Sequence, residues 1–571
     1  MKVDQITTEI IRNAFVSIAQ DMNATLIRSA FTPVIYEGKD CSVALIDAEG
    51  EVLGQSLGLP LFLGNLEICV KLIAEEHGWD YFKEGDVFYM NDSYMTGTHL
   101  NDATVIMPIF WRGERIGFAA SRAHWLDVGA KDPGTPVDSF EIYQEGVRWG
   151  PTRMHDGGVP RDDVIDLLRR NSRFGECTVG DFNAQVAAAK TGEQRLKALY
   201  DRFGAETVDA AKEAIFEQTE RNERAAVAAL PDGEYEAEGF LDNDGLGSDP
   251  LPVRLRIAVT GDSMTIDLEG SAPQARGPVN CGFTQTVAAA RVAYKLLICS
   301  GVSPNGGSFR PLTVKAPPKT IFSAEEPAAC GWYFSSLGLL IDLVIRALAP
   351  AMPNETAGAH YGDSMVITLA GHDPRYDDQY YLMIEPTTGG WGGFNGGDGE
   401  SSLINNVNGS FKDLPIEIFE SKYPLRILSY GIREDSAGPG KYRGGNGTYR
   451  EYLVEADSSL FLWFERSVTT AWGVCGGEAG AGPNVIVEHV DGTREEYLKI
   501  ADVAVKRGTV IRSLTGGGGG YGAPLERDPA AVREDVIDGY VSTAAAKEHY
   551  GVHFTADLEI DAAETAAARG N

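Results

Sequence analysis

Apolar positions set the first elements. Ile11, Phe15, Ile18, Met22 and Leu26 recur at steps of four, three, four and four, which is one face of a helix. They predict a helix over 4–30, with Pro33 beyond its end. The rhythm then changes. Cys41 to Ile46, the turn Asp47-Ala48-Glu49-Gly50 and Glu51 to Leu53 read as a hairpin. Leu66 to Glu76 reads as a helix stopped by Gly78. Ala103 to Phe110 is mostly apolar and partly β-branched; Trp111-Arg112-Gly113-Glu114 is a turn, and Arg115 to Ala120 returns as a second strand weakened by Gly117. Residues 162–230 are the most helical stretch, with segments at Val164–Arg170, Asp181–Phe203 and Ala205–Leu230, separated by Gly204 and ended by Pro231. From Asp232 alternating strands take over at Tyr235–Phe240, Val253–Val259 and Met264–Leu268, and helices return at Thr284–Cys299 and Tyr333–Leu348. After about residue 360 the chain is rich in strands and turns, with glycine clusters at 389–393 and 396–399. No solenoid period is present. The pattern predicts a mixed α+β fold in several parts: early hairpins, a helical middle segment, and a strand- and Gly-rich C-terminal half. A boundary near 231 divides 1–230 from 231–571.

Composition narrows the partners. The chain has 571 residues, enough for several domains or one large composite fold. Its formal net charge is −32. Such a surface repels phosphate backbones and argues against nucleic acid, while suiting a basic partner surface. The most apolar stretch, Leu337–Met352, is broken by Asp342 and Arg346; it reads as a buried amphipathic helix, and no membrane span is expected. Asp4 and Glu9 precede any apolar run, so no signal peptide is visible. The seven cysteines are scattered, odd in number and without a Cys-x-x-Cys pair. They read as reduced, packed as small hydrophobes, in a cytoplasmic protein.

Candidate chemistry gathers around the second hairpin. Antiparallel pairing about Arg112 and Gly113 places Asp102 opposite His124, with Cα atoms roughly 5 Å apart. His99, three residues before Asp102, can fold over the same end. Two imidazoles and a carboxylate then converge, which suits a divalent metal with an open coordination position. The spacing equally allows a hydrogen-bonded core histidine and a turn-capping aspartate. Asp127, just after His124, is a candidate general base or an orienter of a histidine, or else caps the turn before Gly129.

Other motifs fall away. The run from Thr515 to Gly522 contains five consecutive glycines, 516–520, but lacks the Gly-Lys-Ser/Thr ending of a phosphate loop. Pro524 follows closely, which does not suit a phosphate-binding helix N-terminus. A structural turn or packed backbone is the better reading. No dinucleotide fingerprint or Gly-x-Ser-x-Gly elbow is present, so the chain has no nucleotide site of its own to offer.

The ordered segments resemble the hydantoinase B and oxoprolinase family. The resemblance runs through Asp40-Cys41-Ser42, Asn91-Asp92, Thr98-His99-Leu100-Asn101-Asp102, Ser121-Arg122-Ala123-His124 and Glu141-Ile142-Tyr143-Gln144-Glu145-Gly146. It continues in Gly270-Ser271-Ala272-Pro273, Gly277-Pro278-Val279-Asn280, Tyr423-Pro424-Leu425, Tyr442-Arg443-Gly444-Gly445-Asn446-Gly447 and Gly520-Tyr521-Gly522. It implies a metal held by His99, Asp102 and His124, with Asp40 added, whose second carboxylate would help balance a divalent charge. Trp125 and Ala437 stand where relatives often carry histidine and glycine, and Trp125 is expected to reshape the pocket wall. The resemblance further implies the B subunit of a heteromeric ATP-dependent hydrolase of cyclic amides such as hydantoin, oxoproline or a lactam. An A-type subunit would bind Mg-ATP and phosphorylate the amide oxygen. One divalent ion is expected, and zinc, manganese and iron suit the donors almost equally. Two rivals stand beside this reading: a subunit of an ATP-dependent ketone carboxylase of the acetone or acetophenone type, and a non-catalytic structural subunit whose metal only braces the fold.

Overall fold

A computed structural model describes residues 3–570. The fold is mixed, helices and several sheets together, and the chain forms two compact units. The first takes the chain up to Glu234, then Leu255–Leu337 and Val407–Lys412; the second takes Tyr235–Arg254, Gly338–Asn406 and the chain from Asp413 onward.

In the first unit, helix α1 (Gln5–Ser29) starts at Asp4, whose carboxylate caps it by accepting from the Thr7 amide. Its apolar face, Ile11, Phe15, Ile18, Met22 and Leu26, is buried. It packs with the helices Gly175–Phe203 and Ala205–Val227 against a seven-stranded sheet. The strands are β1 (Cys41–Asp47), β2 (Val52–Gln55), β3 (Val87–Met90), β4 (Asp102–Trp111), β5 (Glu114–His124), β6 (Thr152–Asp156) and β7 (Val159–Pro160), in the order β2-β1-β5-β4-β3-β6-β7. Helices cover one face through Val43, Leu45, Val105 and Met107. The other face, with Ala44, Ile46, Ile106 and Phe118, packs on Leu66, Val70 and Ile73 of the helix Leu66–His77. Both faces are dry, so the central strands read as continuous apolar runs.

β4 and β5 form the expected hairpin. Asp102 pairs with His124, Thr104 with Arg122 and Ile106 with Ala120. The turn itself is tighter than the sequence suggested. Trp111 pairs with Glu114 across Arg112 (φ 53) and Gly113 (φ 88), the pair of positive φ angles of a type I′ turn. One extra residue bulges out between the Ile109–Gly117 and Phe110–Arg115 pairs. That bulge restores the register that places Asp102 against His124.

The second unit holds a four-stranded sheet (Gln379–Glu385, Val366–Asp373, Ser458–Trp463, Lys499–Val505) and a five-stranded sheet built on Thr448–Val454 and Val510–Leu514. Ile367, Leu369, Tyr452, Leu460, Val485 and Ile511 share one core. Its other organising feature is Gly516–Gly520, which is neither a turn nor a ligand loop. The amides of Gly517, Gly518, Gly519 and Gly520 donate to the carbonyls of Ala481, Gly445, Ala359 and Glu478. The carbonyls of Gly516, Gly518, Gly519 and Gly520 accept from Gly390, Gly438, Gly393 and Val474. A Cβ on Gly518 would lie 2.0 Å from the Trp391 carbonyl oxygen, and one on Gly519 1.9 Å from that of Trp472. Only bare backbone fits this bundle.

No helix among the described residues is long and apolar enough to cross a membrane. Cys41, Cys69, Cys281 and Cys330 are buried, as expected of small hydrophobes, whereas Cys475 is exposed.

Candidate metal centre

Three neighbouring strands deliver the site. Cys41 pairs with Ala123, and the His124 amide donates to the Asp40 carbonyl at 3.1 Å. Asp102 pairs with His124 from the other side. Asp40, His124 and Asp102 therefore stand side by side at one end of β1, β5 and β4. Period-two alternation puts Asp102 and His124 on the same sheet face as Ile106 and Ala120.

His99 closes the cluster from the short segment before β4. Its Nε2 lies 2.9 Å from Asp102 Oδ1 and 3.1 Å from His124 Nδ1, and His124 Nδ1 is 3.4 Å from Asp102 Oδ1. The three donor atoms all lie within 4.8 Å of one another and are buried. The other ring nitrogen of His99, Nδ1, is 3.0 Å from the Gly331 carbonyl. A carbonyl only accepts, so Nδ1 carries a proton, which leaves Nε2 to face the carboxylate oxygen. Nε2 donates a second proton to that oxygen when the ring is charged, or offers a lone pair to a metal when that proton is gone. Two imidazole nitrogens with a carboxylate this close form a donor set that suits a divalent ion in place of that proton. Asp40 Oδ1 and His124 Nε2 are also buried with no protein partner, so the pocket has coordinating capacity to spare.

The electrostatics agree with a cation-seeking pocket. Burial alone would raise the Asp102 carboxyl, but the charge of His99 and hydrogen bonds from both histidines hold it far below the usual range. Burial pushes Asp40 up to about 6, opposed by His124 and reinforced by the charge of Asp102.

Outer contacts come from a distant stretch, Cys330 to Tyr333. Tyr333 donates from its hydroxyl to Asp102 Oδ2 at 2.8 Å. Burial and the Asp102 charge keep that phenol protonated. The amides of Cys330 and Gly331 donate to Glu145 at 2.9 and 2.8 Å, and Ser139 donates to the same carboxylate at 2.7 Å. Glu145 thus anchors the peptide whose carbonyl orients His99. Burial pushes Glu145 up to about 7 against those three donors. Sequence reasoning gave Tyr333, Gly331 and Glu145 no role here. Tyr333 lies more than two hundred residues from His99, and no local pattern links them.

Asp127 is buried, but its carboxylate is engaged elsewhere. Arg173 donates to it from the amide at 2.7 Å and from Nη1 at 2.6 Å, and the Gly129 amide from 3.3 Å. Trp125 lies away from the metal side, contrary to the expected pocket wall. It stacks on Tyr89, with ring centroids 4.9 Å apart, and donates from Nε1 to Gln185 Oε1 at 3.0 Å. Strand alternation sends it to the face opposite His124. Arg122 spends its charge on packing: Nε, Nη1 and Nη2 donate to Thr104, Asn65 and Cys69.

Comparison with known proteins identifies the family. Residues 4–524 match the hydantoinase B/oxoprolinase family. The caprolactamase subunit beta of Pseudomonas jessenii is 33% identical over 99% of this chain and 99% of its own. The crystal structure of ATP-dependent caprolactamase from Pseudomonas jessenii superposes with a TM-score of 0.92 at 30% identity, covering 100% of both chains. Nucleotide-free acetone carboxylase shares the fold with a TM-score of 0.91 at 21% identity, over 99% of this chain and 82% of its own. The chain belongs to the hydantoinase B/oxoprolinase family.

Proposed function

We propose that this chain is the metal-containing B subunit of a heteromeric ATP-dependent cyclic amide hydrolase, opening a hydantoin, oxoproline or lactam ring. The observation that carries the reading is the convergence of His99 Nε2, Asp102 Oδ1 and His124 Nδ1 within 4.8 Å, in a chain that aligns from end to end with a caprolactamase subunit. Asp40 is the fourth ligand in this reading, through its unpartnered Oδ1. When bound, a zinc, manganese or iron ion supplies Lewis acidity, acidifying water and polarising an activated carbon–oxygen bond.

The remaining work belongs to protein groups. An A-type partner binds Mg-ATP and phosphorylates the amide oxygen, turning a resonance-stabilised amide into an electrophile with a phosphate leaving group. In this chain, Tyr333 fixes Asp102 through Oδ2 and leaves Oδ1 for the cluster. Gly331 fixes the tautomer of His99. Asp127 braces the loop after His124 through Arg173, since a general base needs a carboxylate oxygen that Arg173 does not hold.

A second reading, a ketone carboxylase subunit, draws on the shared fold of acetone carboxylase. This chain spans the whole caprolactamase chain but 82% of the acetone carboxylase chain, which favours the amidase. Labelled bicarbonate separates them. The amidase reading expects ring-opened amino acid without label from the reconstituted complex and ATP, and no product with Asp102→Ala despite normal assembly. Label held in a new carbon–carbon bond would overturn it.

A further inference from the structure

The second unit contains a buried polar cluster that the amidase reading does not use. Asp342 accepts from Arg466 Nη2 at 2.9 Å and faces His360 Nδ1 at 2.8 Å. The Asn406 amide stands 3.2 Å from that same imidazole nitrogen. Each of the four is nine-tenths buried or more; Arg466 is 2% exposed and His360 3%.

Their unmet groups share a chemistry. Arg466 Nε and Nη1, His360 Nε2 and Asn406 Oδ1 all lack a protein partner. A guanidinium is always charged, and unpaired N–H groups on a buried cation are costly enough to be rare without a reason. Asp342 answers one edge of the guanidinium and leaves N–H groups elsewhere on it. Trp472 lies beneath, 4.9 Å from the guanidinium carbon. Gly362 (φ +90) packs its backbone directly against the guanidinium, where a Cβ would lie 2.5 Å from Nε. Arg466 itself holds a φ of 72, a left-handed conformation that non-glycine residues adopt only when surrounding contacts impose it.

We propose that Arg466, His360 and Asn406, held by Asp342, form a binding site for a small oxyanion, a carboxylate or a phosphate group. An oxygen of the anion accepts from Arg466 Nε or from Nη1, which open on different sides of the guanidinium, as a charge-assisted hydrogen bond. A hydroxyl on the anion, or a proton taken up by His360, satisfies Nε2, while Asp342 keeps Nδ1 protonated and the ring oriented. Asp342 and Arg466 already neutralise each other, so the anion's charge is balanced when His360 carries the second proton.

The inference is independent of the metal centre, and its test keeps the two apart. Inorganic phosphate and acetate are titrated calorimetrically, at constant ionic strength, into the full chain stripped of metal by chelation. The expected result is saturable binding of about one anion per chain, at least about tenfold weaker in Arg466→Met and in His360→Gln. Whichever of phosphate and acetate binds more tightly names the source of the oxyanion. His360→Gln leaves the Asp342–Arg466 pair intact, so it decides the question if Arg466→Met fails to fold. As a second measurement, phosphate should raise the melting temperature of the native chain above its value in chloride. Binding of neither anion to the native chain, or equal binding by native and His360→Gln chains, would leave these atoms to water and overturn the proposal.

Discussion

A single hydroxyl, that of Tyr333, decides which oxygen of Asp102 faces the imidazoles. Tyr333→Phe keeps the ring packed and removes that one donor. Zinc affinity, read by competition with a chromophoric chelator, should fall by about 10–100-fold; unchanged affinity would remove Tyr333 from the site's support. Losing both imidazoles is more drastic. The His99→Ala, His124→Ala double variant should carry only background metal by elemental analysis, and full metal content there would end the metal reading. Glu145 gives a pH signature. Its proton leaves near 4.5 in an unfolded chain and near 7 in the folded one. The folded state therefore holds the proton more tightly, and this stability is present below 4.5 and lost as pH rises through about 7. Urea midpoints should show Glu145→Gln gaining on the native chain across that window, and a constant difference would contradict the assignment. Asp102 and His124 could be matched from sequence because a hairpin is a local, symmetric object, whose partners follow from its turn. Asp40 needed the resemblance, since nothing in its own segment says which strand lies beside β1. Tyr333, Gly331 and Glu145 were illegible because their contacts depend on how distant segments return.

Elements carry the register. The sequence placed the hairpin's centre near Arg112 and Gly113, and the pairing at Asp102–His124 followed. In the structure the turn is one step tighter, and a bulge beside Gly117 supplies the missing residue. Gly117 looked like a flaw in a strand. It is instead a place where β5 leaves no space for a side chain beside β1: an added Cβ would lie 2.3 Å from the Ile46 carbonyl oxygen. Gly117→Ala should cost about 1–3 kcal/mol by urea denaturation, the usual range for overpacking. A variant as stable as the native chain would show that β1 gives way. Long periodic helices were legible throughout: the reading at 4–30 became Gln5–Ser29, and that at Tyr333–Leu348 matched in full. The helix expected at Asp181–Phe203 begins at Gly175 instead, where Gly180 packs on Phe31 just beyond the end of α1, so tertiary contact outweighs poor helix propensity.

At the scale of the whole molecule, the five-glycine run turns a composition signal into architecture. High glycine content suggested turns and close approaches; which backbones approach one another is a long-range matter that periodicity does not encode. Because Gly516–Gly520 has its amides and carbonyls committed to neighbouring backbone, the chain alone should not bind Mg-ATP. Calorimetry on the purified chain tests this, and a micromolar dissociation constant would contradict it. The bundle also has a consequence in time. The backbone around Ala359, Gly390, Gly438, Gly445, Val474 and Ala481 is synthesised before the glycine run that joins it. At roughly 5–20 residues per second, the run leaves the ribosome roughly 20–80 s after His124 does. The hairpin that carries Asp102 and His124 can close early, on its own contacts. The second unit waits with its seam open to water, and a nascent chain halted short of Gly520 would hold a finished hairpin and an unlocked clasp.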